Sequence, residues 1–273
     1  MIYKADLHTH STASDGQYSP KELAQLVKNR GAEVWALTDH DNLDGLEEAA
    51  KAGEALGLRV IRGVELSSED YKNLHILGYG FSAPALREWI DGQKKRRDDR
   101  KYRIRDFLRT KGLEIPLDEV DEEAAGGSVG RPHFAIVMLR HGYVATRREA
   151  FDRYLDTAEF QRMDSGTKPS ARECVERIKS AGGKASLAHP YQIVLGKENE
   201  SLDKLVKRLK GYGLDAIECR YPIHTPEQTE AYLGLAKKYG LRITGGSDFH
   251  GEKNKPDHPL AAWQLELDWL IGE

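Results

Sequence analysis

Cysteine is almost missing from this chain: Cys174 and Cys219 are the only two in 273 residues. Two thiols cannot build a disulfide framework, and such scarcity suits a reducing compartment. Long hydrophobic runs are missing too. None approaches the ~20 residues of a membrane span. Nor does charge of one sign dominate. Lys and Arg number 41 against 44 Asp and Glu, a formal net charge of -3. There is no global basic field for nucleic acid, so any polyanion site must be local. The N-terminus shows no signal-peptide pattern and enters a strand-like segment at once. These absences predict a soluble, cytoplasmic protein with no membrane contact and no obligate protein partner. The length fits one large α/β domain, or one domain carrying an insertion.

Strand-like runs do occur, alternating with helical patterns. They are Ile2–Leu7, Glu33–Thr38, Arg59–Val64, His75–Tyr79, Lys184–Ala188, Ala216–Cys219 and Arg242–Gly245. Helix starts are well marked. Ser19-Pro20-Lys21-Glu22 and Ser170-Ala171-Arg172-Glu173 read as capping boxes, and Thr225-Pro226-Glu227-Gln228 places Gln228 at the third helical position. The alternation argues for a mostly parallel sheet or barrel. The rhythm breaks between about Pro84 and Lys168, a stretch that is helical, charged and strand-poor. It predicts a long helix from Ala85 to Arg109, a glycine-rich turn at Gly126–Gly130, a helix opening at Arg131, and another at the box Thr146-Arg147-Arg148-Glu149. Residues 1–83 and 169–273 are thus expected to form the barrel, and 84–168 a helical insertion capping its active site.

Candidate ligands fall at the ends of the strands. In Asp6-Leu7-His8-Thr9-His10, alternate side chains of an extended strand point the same way, so His8 and His10 project together. Neutral imidazole is the commonest metal ligand among side chains. Thr38-Asp39-His40-Asp41 ends the second run, Gly63-Val64-Glu65 the third, and Ala188-His189-Pro190 the run after the insertion. His75 lies in the fourth run, and Ser247-Asp248-Phe249-His250 follows the last. Taken singly, His75 reads as an ordinary core or surface histidine, Asp39 and Asp41 as loop residues, and His189-Pro190 as a turn. Taken together, six of the ten histidines lie in or beside strand segments with Asp15, Glu65 and Asp248. Ligand sites of parallel α/β folds sit at the C-terminal ends of strands, so one rim gathers these groups. Nitrogen and oxygen donors without thiolate suit Mn²⁺, Fe²⁺ or Zn²⁺; spacing does not distinguish them, and Mn²⁺ is taken as the first expectation.

This set resembles the PHP family, named for polymerase and histidinol phosphatase, and the likeness runs through nearly the whole chain. The family pattern stands here as Asp6-Leu7-His8-Thr9-His10 with Ser14-Asp15-Gly16, then Thr38-Asp39-His40-Asp41, Gly63-Val64-Glu65, His75, Ala188-His189-Pro190 and Gly246-Ser247-Asp248-Phe249-His250. The resemblance implies a distorted seven-stranded β/α barrel and up to three divalent ions. His8, His10, Glu65 and Asp248 would hold one ion. Glu65 would bridge to a second, held also by His75 and His189. Asp15, His40 and His250 would hold the third. The implied chemistry is phosphoester hydrolysis by a metal-bridging hydroxide, with no protein nucleophile.

The insertion carries its own signal. Gly130-Arg131-Pro132-His133-Phe134 places Arg131 and His133 at a helix start, where free N–H groups and the helix dipole favour an anion and Arg adds a phosphate fork. The alternative is an exposed helix start with a surface Arg. Here too there is a likeness, to the PHP subfamily of nucleoside 3′,5′-bisphosphate phosphatases, which carries an Arg-x-His-Phe-Ala element of this form. That likeness implies a small nucleotide substrate, with trimming of short oligonucleotides from the 5′ end in some members. Histidinol-phosphate phosphatase is the competing activity, and a non-catalytic metal-binding module the competing class. His224 follows a strand on the same rim and is a candidate for contacting phosphate or protonating the leaving group. Arg220 is a comparable candidate for substrate. The basic run from Lys94 to Arg105 is diluted by Asp98 and Asp99 and reads as a solvated helix. Cys174 and Cys219 read as small buried hydrophobes.

Overall fold

The computed structural model describes residues 1–124, 129–164, 168–195 and 200–272, except the side chains of Lys94, Arg96, Arg97 and Asp98. The glycine-rich turn expected at Gly126–Gly130 lies mostly outside the described residues. So do the side chains of much of the basic run.

Among the described residues eight strands form one sheet. They are β1 (Ile2–Asp6), β2 (Val34–Leu37), β3 (Arg59–Ser67), β4 (His75–Tyr79), β5 (Lys184–Leu187), β6 (Ala216–Arg220), β7 (Arg242–Gly245) and β8 (Trp263–Glu266). Helices α1 (Pro20–Asn29) and α2 (Leu46–Leu56) connect the first three strands. After β4 come α3 (Ala83–Thr110), α4 (Leu117–Glu123), α5 (Arg131–Arg140), α6 (Arg147–Ala150) and α7 (Ala158–Asp164). Then α8 (Ala171–Ser180), α9 (Leu202–Tyr212) and α10 (Pro226–Tyr239) lead into β5, β6 and β7, and α11 (Asp268–Ile271) follows β8. No helix among the described residues is long and apolar enough to cross a membrane.

The helix starts obey their local chemistry. The Ser19, Ser170 and Thr225 hydroxyls each accept the N–H three residues on, and the side chain there accepts the cap's own N–H. Thr146 differs. Its hydroxyl accepts the Glu149 N–H at 3.1 Å, but the Glu149 carboxylate takes the N–H of Ala145 at 2.7 Å. The expected box is therefore shifted by one residue, and four-residue α6 passes directly into a π-helical turn at Phe151–Leu155.

The sheet order is β7-β6-β5-β4-β3-β2-β1-β8. Pairs β1–β2, β2–β3, β5–β6 and β6–β7 are parallel. Strand β4 runs antiparallel to both neighbours, with Ser67 opposite His75. Strand β8 was not among the expected runs and pairs antiparallel with β1, from Ile2–Glu266 to Ala5–Trp263. The residues after β1 and β7 also bond each other. Leu7 N–H donates to the Gly245 carbonyl at 3.1 Å, Asp248 N–H to His8 at 2.7 Å, and His10 N–H to Phe249 at 2.9 Å. These bonds bring the two sides of the sheet into a nearly closed α/β barrel.

Two apolar layers follow from the period of two along each strand. In β2, Trp35 and Leu37 pack with Leu23, Val27, Ile178 and Leu209 of the helices. Val34 and Ala36 join Ala5, Leu7, Ile61, Leu77, Tyr79 and Leu265, a cluster made almost wholly of strand residues. Both cysteines are free and buried, as expected.

The chain divides into two compact units, Met1–Ile90 with Pro169–Glu273, and Asp91–Lys168. The second unit has its own core of Ile104, Phe107, Leu108, Phe134, Val137, Met138, Leu155 and Phe160. Phe107 meets Phe160 edge-on at 5.4 Å, and Arg100 forks onto Asp164 through two 2.6 Å bonds.

Gly246 is required by close approach. A Cβ on Gly246 would overlap the Cβ of His8 and come within 2.6 Å of its backbone nitrogen. Gly246→Ala is expected to cost about 1–3 kcal/mol through overpacking. Gly211→Ala, in α9 with open space around the site, is expected to be neutral or stabilising. Urea denaturation of the two variants checks the contrast.

Candidate metal centre

The site is built around Glu65, which is fully buried. Val64 and Leu66 face the helix-side core, so alternation turns Glu65 to the opposite face. Its Oε1 lies 2.8 Å from His75 Nδ1 and 2.8 Å from His189 Nε2. Its Oε2 lies 3.1 Å from both His8 Nε2 and His10 Nε2, and 3.3 Å from His40 Nδ1. Strand direction explains how His75 reaches this rim. It begins β4 rather than ending it, and because β4 is antiparallel its first residue stands beside the last residues of its neighbours.

Asp248 and Asp15 complete the array. Asp248 Oδ1 lies 3.5 Å from His8 Nε2, 3.3 Å from His10 Nε2 and 3.4 Å from His250 Nδ1. Asp15 lies 3.7 Å from His10, 3.9 Å from His40 and 3.3 Å from His250. All nine ligand candidates are thus brought together. Three groupings have donor atoms close enough to share an ion: His8, His10, Glu65 and Asp248; His10, Asp15, His40 and His250; and His40, Glu65 and His75. His10 enters the second group and His40 the third, so neighbouring positions share imidazoles as well as Glu65.

The residues fit divalent ions on three counts. First, both ring nitrogens of buried His10, Nδ1 of His40 and Nδ1 of His189 have no hydrogen-bond partner among the described residues. Buried polar atoms normally find partners, and lone pairs placed like these suit coordination to a divalent ion. Second, the donors are imidazole and carboxylate without thiolate, a set suited to Mn²⁺, Fe²⁺ or Zn²⁺. Third, the charges are mutually adapted. Burial opposes ionisation of Glu65 and Asp248, yet the surrounding imidazoles override it and hold both carboxyls well below the usual range. Burial likewise disfavours the His10 cation, but Asp248 and Glu65 raise that group to about 9. His40, half-buried, is pushed down to about 4 by desolvation and by the neighbouring imidazoles of His10 and His75.

A supporting shell orients these groups. Asp39 accepts from Ser11 N–H, Ser11 hydroxyl and Ser14 hydroxyl, each at 2.7 Å. This ties the segment carrying His10 to the end of β2. Buried Asp6, raised to about 6 chiefly by burial, accepts from Ser247 N–H at 2.9 Å. The second oxygen of Asp248 accepts from the Tyr221 hydroxyl and the Lys255 ammonium. Glu218, fully buried on β6, faces His8 Nδ1 at 3.1 Å and accepts the His189 N–H at 2.7 Å. His189 and Asp248 both hold positive φ, 23° and 52°, a strained conformation for non-glycine residues that concentrates at functional sites.

Sequence reasoning missed Glu218, Tyr221 and Lys255. The available signal for Glu218 was a charged residue inside the apolar strand Ala216-Ile217-Glu218-Cys219. Of the remaining candidates, His224 stacks on Tyr221 at 5.0 Å with Nδ1 3.3 Å from the Cys219 carbonyl, and its buried Nε2 has no partner. Arg220 ends β6, half-buried, and its carbonyl accepts the Gly246 N–H at 3.1 Å. In the second unit, Arg131 pairs with Asp156 and donates to the Leu155 carbonyl at 3.2 Å. His133 Nδ1 accepts the Gly130 N–H at 3.0 Å, taking the place of a side-chain cap for α5.

Comparison with known proteins agrees with the motif reading. The PHP domain family model matches residues 6–208, and the chain belongs to that family. A 5′-3′ exoribonuclease of Haemophilus influenzae is 34% identical over 92% of this chain and 91% of its own. A phosphoribosyl 1,2-cyclic phosphate 1,2-diphosphodiesterase of Eggerthella lenta is 32% identical, covering 93% and 96%. A 3′,5′-nucleoside bisphosphate phosphatase of Chromobacterium violaceum is 30% identical, covering 90% and 86%. A solved Bifidobacterium adolescentis structure described as a metal-dependent phosphoesterase superposes with TM-score 0.66 at 28% identity, over 97% of this chain and 93% of that one. The chain is a hydrolase of phosphoester bonds, and its class is metal-dependent.

Ion uptake is expected to release protons. His10 is protonated below about 9 in the ion-free protein, and an imidazole must be neutral to donate its lone pair. The apparent affinity for Mn²⁺ should therefore rise with pH through that value, the more so because His8 is also held in its cationic form. Calorimetry in buffers of different ionisation enthalpy measures the proton count, and a pH-independent affinity would contradict the expectation.

Proposed function

We propose that this protein removes the 3′-phosphate of nucleoside 3′,5′-bisphosphates and also trims short oligonucleotides from the 5′ end. The observation that carries the reading is Glu65, one buried carboxylate faced by five imidazoles within 3.3 Å. Such a cluster suits several ions acting on one phosphoryl group. The named relatives narrow the substrate, since an exoribonuclease, a phosphoribosyl cyclic diphosphodiesterase and a nucleoside bisphosphatase share phosphate borne on ribose.

The ion assignment follows the motifs. His8, His10, Glu65 and Asp248 would hold one ion, Glu65, His75 and His189 the second, and Asp15, His40 and His250 the third, with Mn²⁺ the first candidate. Bound ions supply Lewis acidity and lower the pKa of a coordinated water to about 7. The chain's own residues do the rest. Arg131 offers a fork to a phosphate, whose higher charge replaces Asp156 as its partner. His133, already committed to the Gly130 N–H, fixes the start of α5 and so the position of Arg131. Burial lowers the pKa of His224 and so favours its neutral form. With Nδ1–H donating to the Cys219 carbonyl, Nε2 is left as an acceptor. That favours a contact with a substrate hydroxyl over protonation of a leaving group. Arg220, on the same strand end, is assigned to substrate with it.

A phosphate-release screen with added Mn²⁺ tests the reading across adenosine 3′,5′-bisphosphate, adenosine monophosphates, short oligonucleotides and histidinol phosphate. Turnover of the bisphosphate is expected, and preference for histidinol phosphate would overturn the assignment. Asp248→Ala should abolish turnover and reduce bound metal. Arg131→Ala should weaken bisphosphate use about ten- to a hundredfold, the worth of charge-assisted hydrogen bonds, with metal content unchanged. Unaltered bisphosphate kinetics in that variant would remove Arg131 from the site.

A further inference from the structure

We infer that Glu218 is a positioning residue that couples the loading of the first and second ions and acts directly on no assigned ligand of the third. The inference rests on the ion assignment proposed above.

Glu218 sits in the middle of β6 with no solvent exposure. A buried carboxylate is costly unless its oxygens are satisfied. Here they are satisfied by two residues that belong to different ions. Its Oε1 and Oε2 stand 3.1 and 3.3 Å from His8 Nδ1. Oε2 also accepts the backbone N–H of His189 at 2.7 Å.

The first contact fixes a tautomer. A carboxylate acceptor keeps the proton on His8 Nδ1, so Nε2 carries the lone pair. That nitrogen is the one turned towards Glu65 and Asp248. The second contact acts through the backbone. His189 holds φ 23° and ψ 65°, a strained peptide that persists only where its surroundings over-determine it. The Glu218 bond pins the N–H of that residue while its Nε2 meets Glu65 Oε1 at 2.8 Å. One side chain thus aligns a first-ion ligand through its ring and a second-ion ligand through its main chain. Both ligands converge on opposite oxygens of Glu65. None of Glu218's hydrogen bonds reaches Asp15, His40 or His250.

Glutamine cannot replace it. An amide has one acceptor oxygen and one NH₂ group, so either His8 Nδ1–H or His189 N–H would face a donor. The Glu218→Gln side chain keeps the volume and loses the function.

The test compares wild type, Glu218→Gln and Glu218→Asp as full-length protein. Mn²⁺ affinity and stoichiometry are measured by calorimetry and by metal analysis after equilibrium dialysis. Electron paramagnetic resonance reports whether bound Mn²⁺ ions are coupled. In Glu218→Gln, two of the three Mn²⁺ equivalents should weaken about ten- to a hundredfold, the usual effect of removing such a partner. The third should bind as in wild type, and the exchange-coupled signal should give way to that of an isolated ion. The retained ion reports an intact fold, and if Glu218→Gln does not melt cooperatively after metal removal, Glu218→Asp decides by the same measurements. Unchanged affinity for all three equivalents, or equal loss of all three, overturns the inference. Wild-type protein that takes up no Mn²⁺ overturns the ion assignment as well, whereas normal wild-type loading with an unaffected variant overturns only the role of Glu218.

Discussion

The Glu65 carboxylate and the five imidazoles around it form the interaction on which the rest of the structure depends. A lone ionised carboxylate buried this completely would be expelled or neutralised. Here it stays charged because His8, His10, His40, His75 and His189 surround it. The dependence is mutual, since the same carboxylate favours the cationic forms of His8 and His10. Without a bound ion the cluster is an ion-pair network. With one, the imidazole lone pairs have a common target. Either way the groups must arrive together, and they come from positions as far apart as His8 and His189.

Strand direction makes that arrival possible. The parallel strands deliver their C-terminal ends to one rim, where His40, Glu65 and His189 follow or end them. Strand β4 contributes from its other end because it runs backwards between β3 and β5. The chain then leaves the first unit after Ile90 and returns at Pro169, so a whole second unit is inserted between His75 and His189. Its separate apolar core explains how so long an excursion is accommodated without disturbing the ligands on either side.

The parts that could be read from the sequence were those written locally or by repetition. Caps at Ser19, Ser170 and Thr225 are contained within four residues, and the structure repeats them. The nine ligand candidates were found because they recur beside strands in recognisable short motifs. Strand direction is not local: nothing in His75–Tyr79 says that it runs backwards, and its place beside Glu65 follows only from pairing. Strand β8 was hidden for the same reason, as its four residues gain meaning only from β1. Glu218, Tyr221 and Lys255 escaped because each touches a candidate ligand and belongs to none of the motifs. The Thr146 box was misjudged by a single residue because the chain there passes at once into a wider π turn.

The hydrogen bonds that draw β1 and β7 together have a consequence for how the molecule holds itself shut. They run between Leu7–His10 and Gly245–Phe249, the same backbone that presents His8, His10 and Asp248. Seam and reaction centre are therefore one stretch of main chain. Elsewhere neighbouring strands are joined by ladders within the sheet, but at this junction the fastening runs largely through residues just beyond the strand ends. A cation seated there would act as a rivet, tying the opening of the chain to residues some 240 positions later. The machinery for hydrolysis and the clasp of the barrel would then be inseparable, so wear on one would be felt in the other.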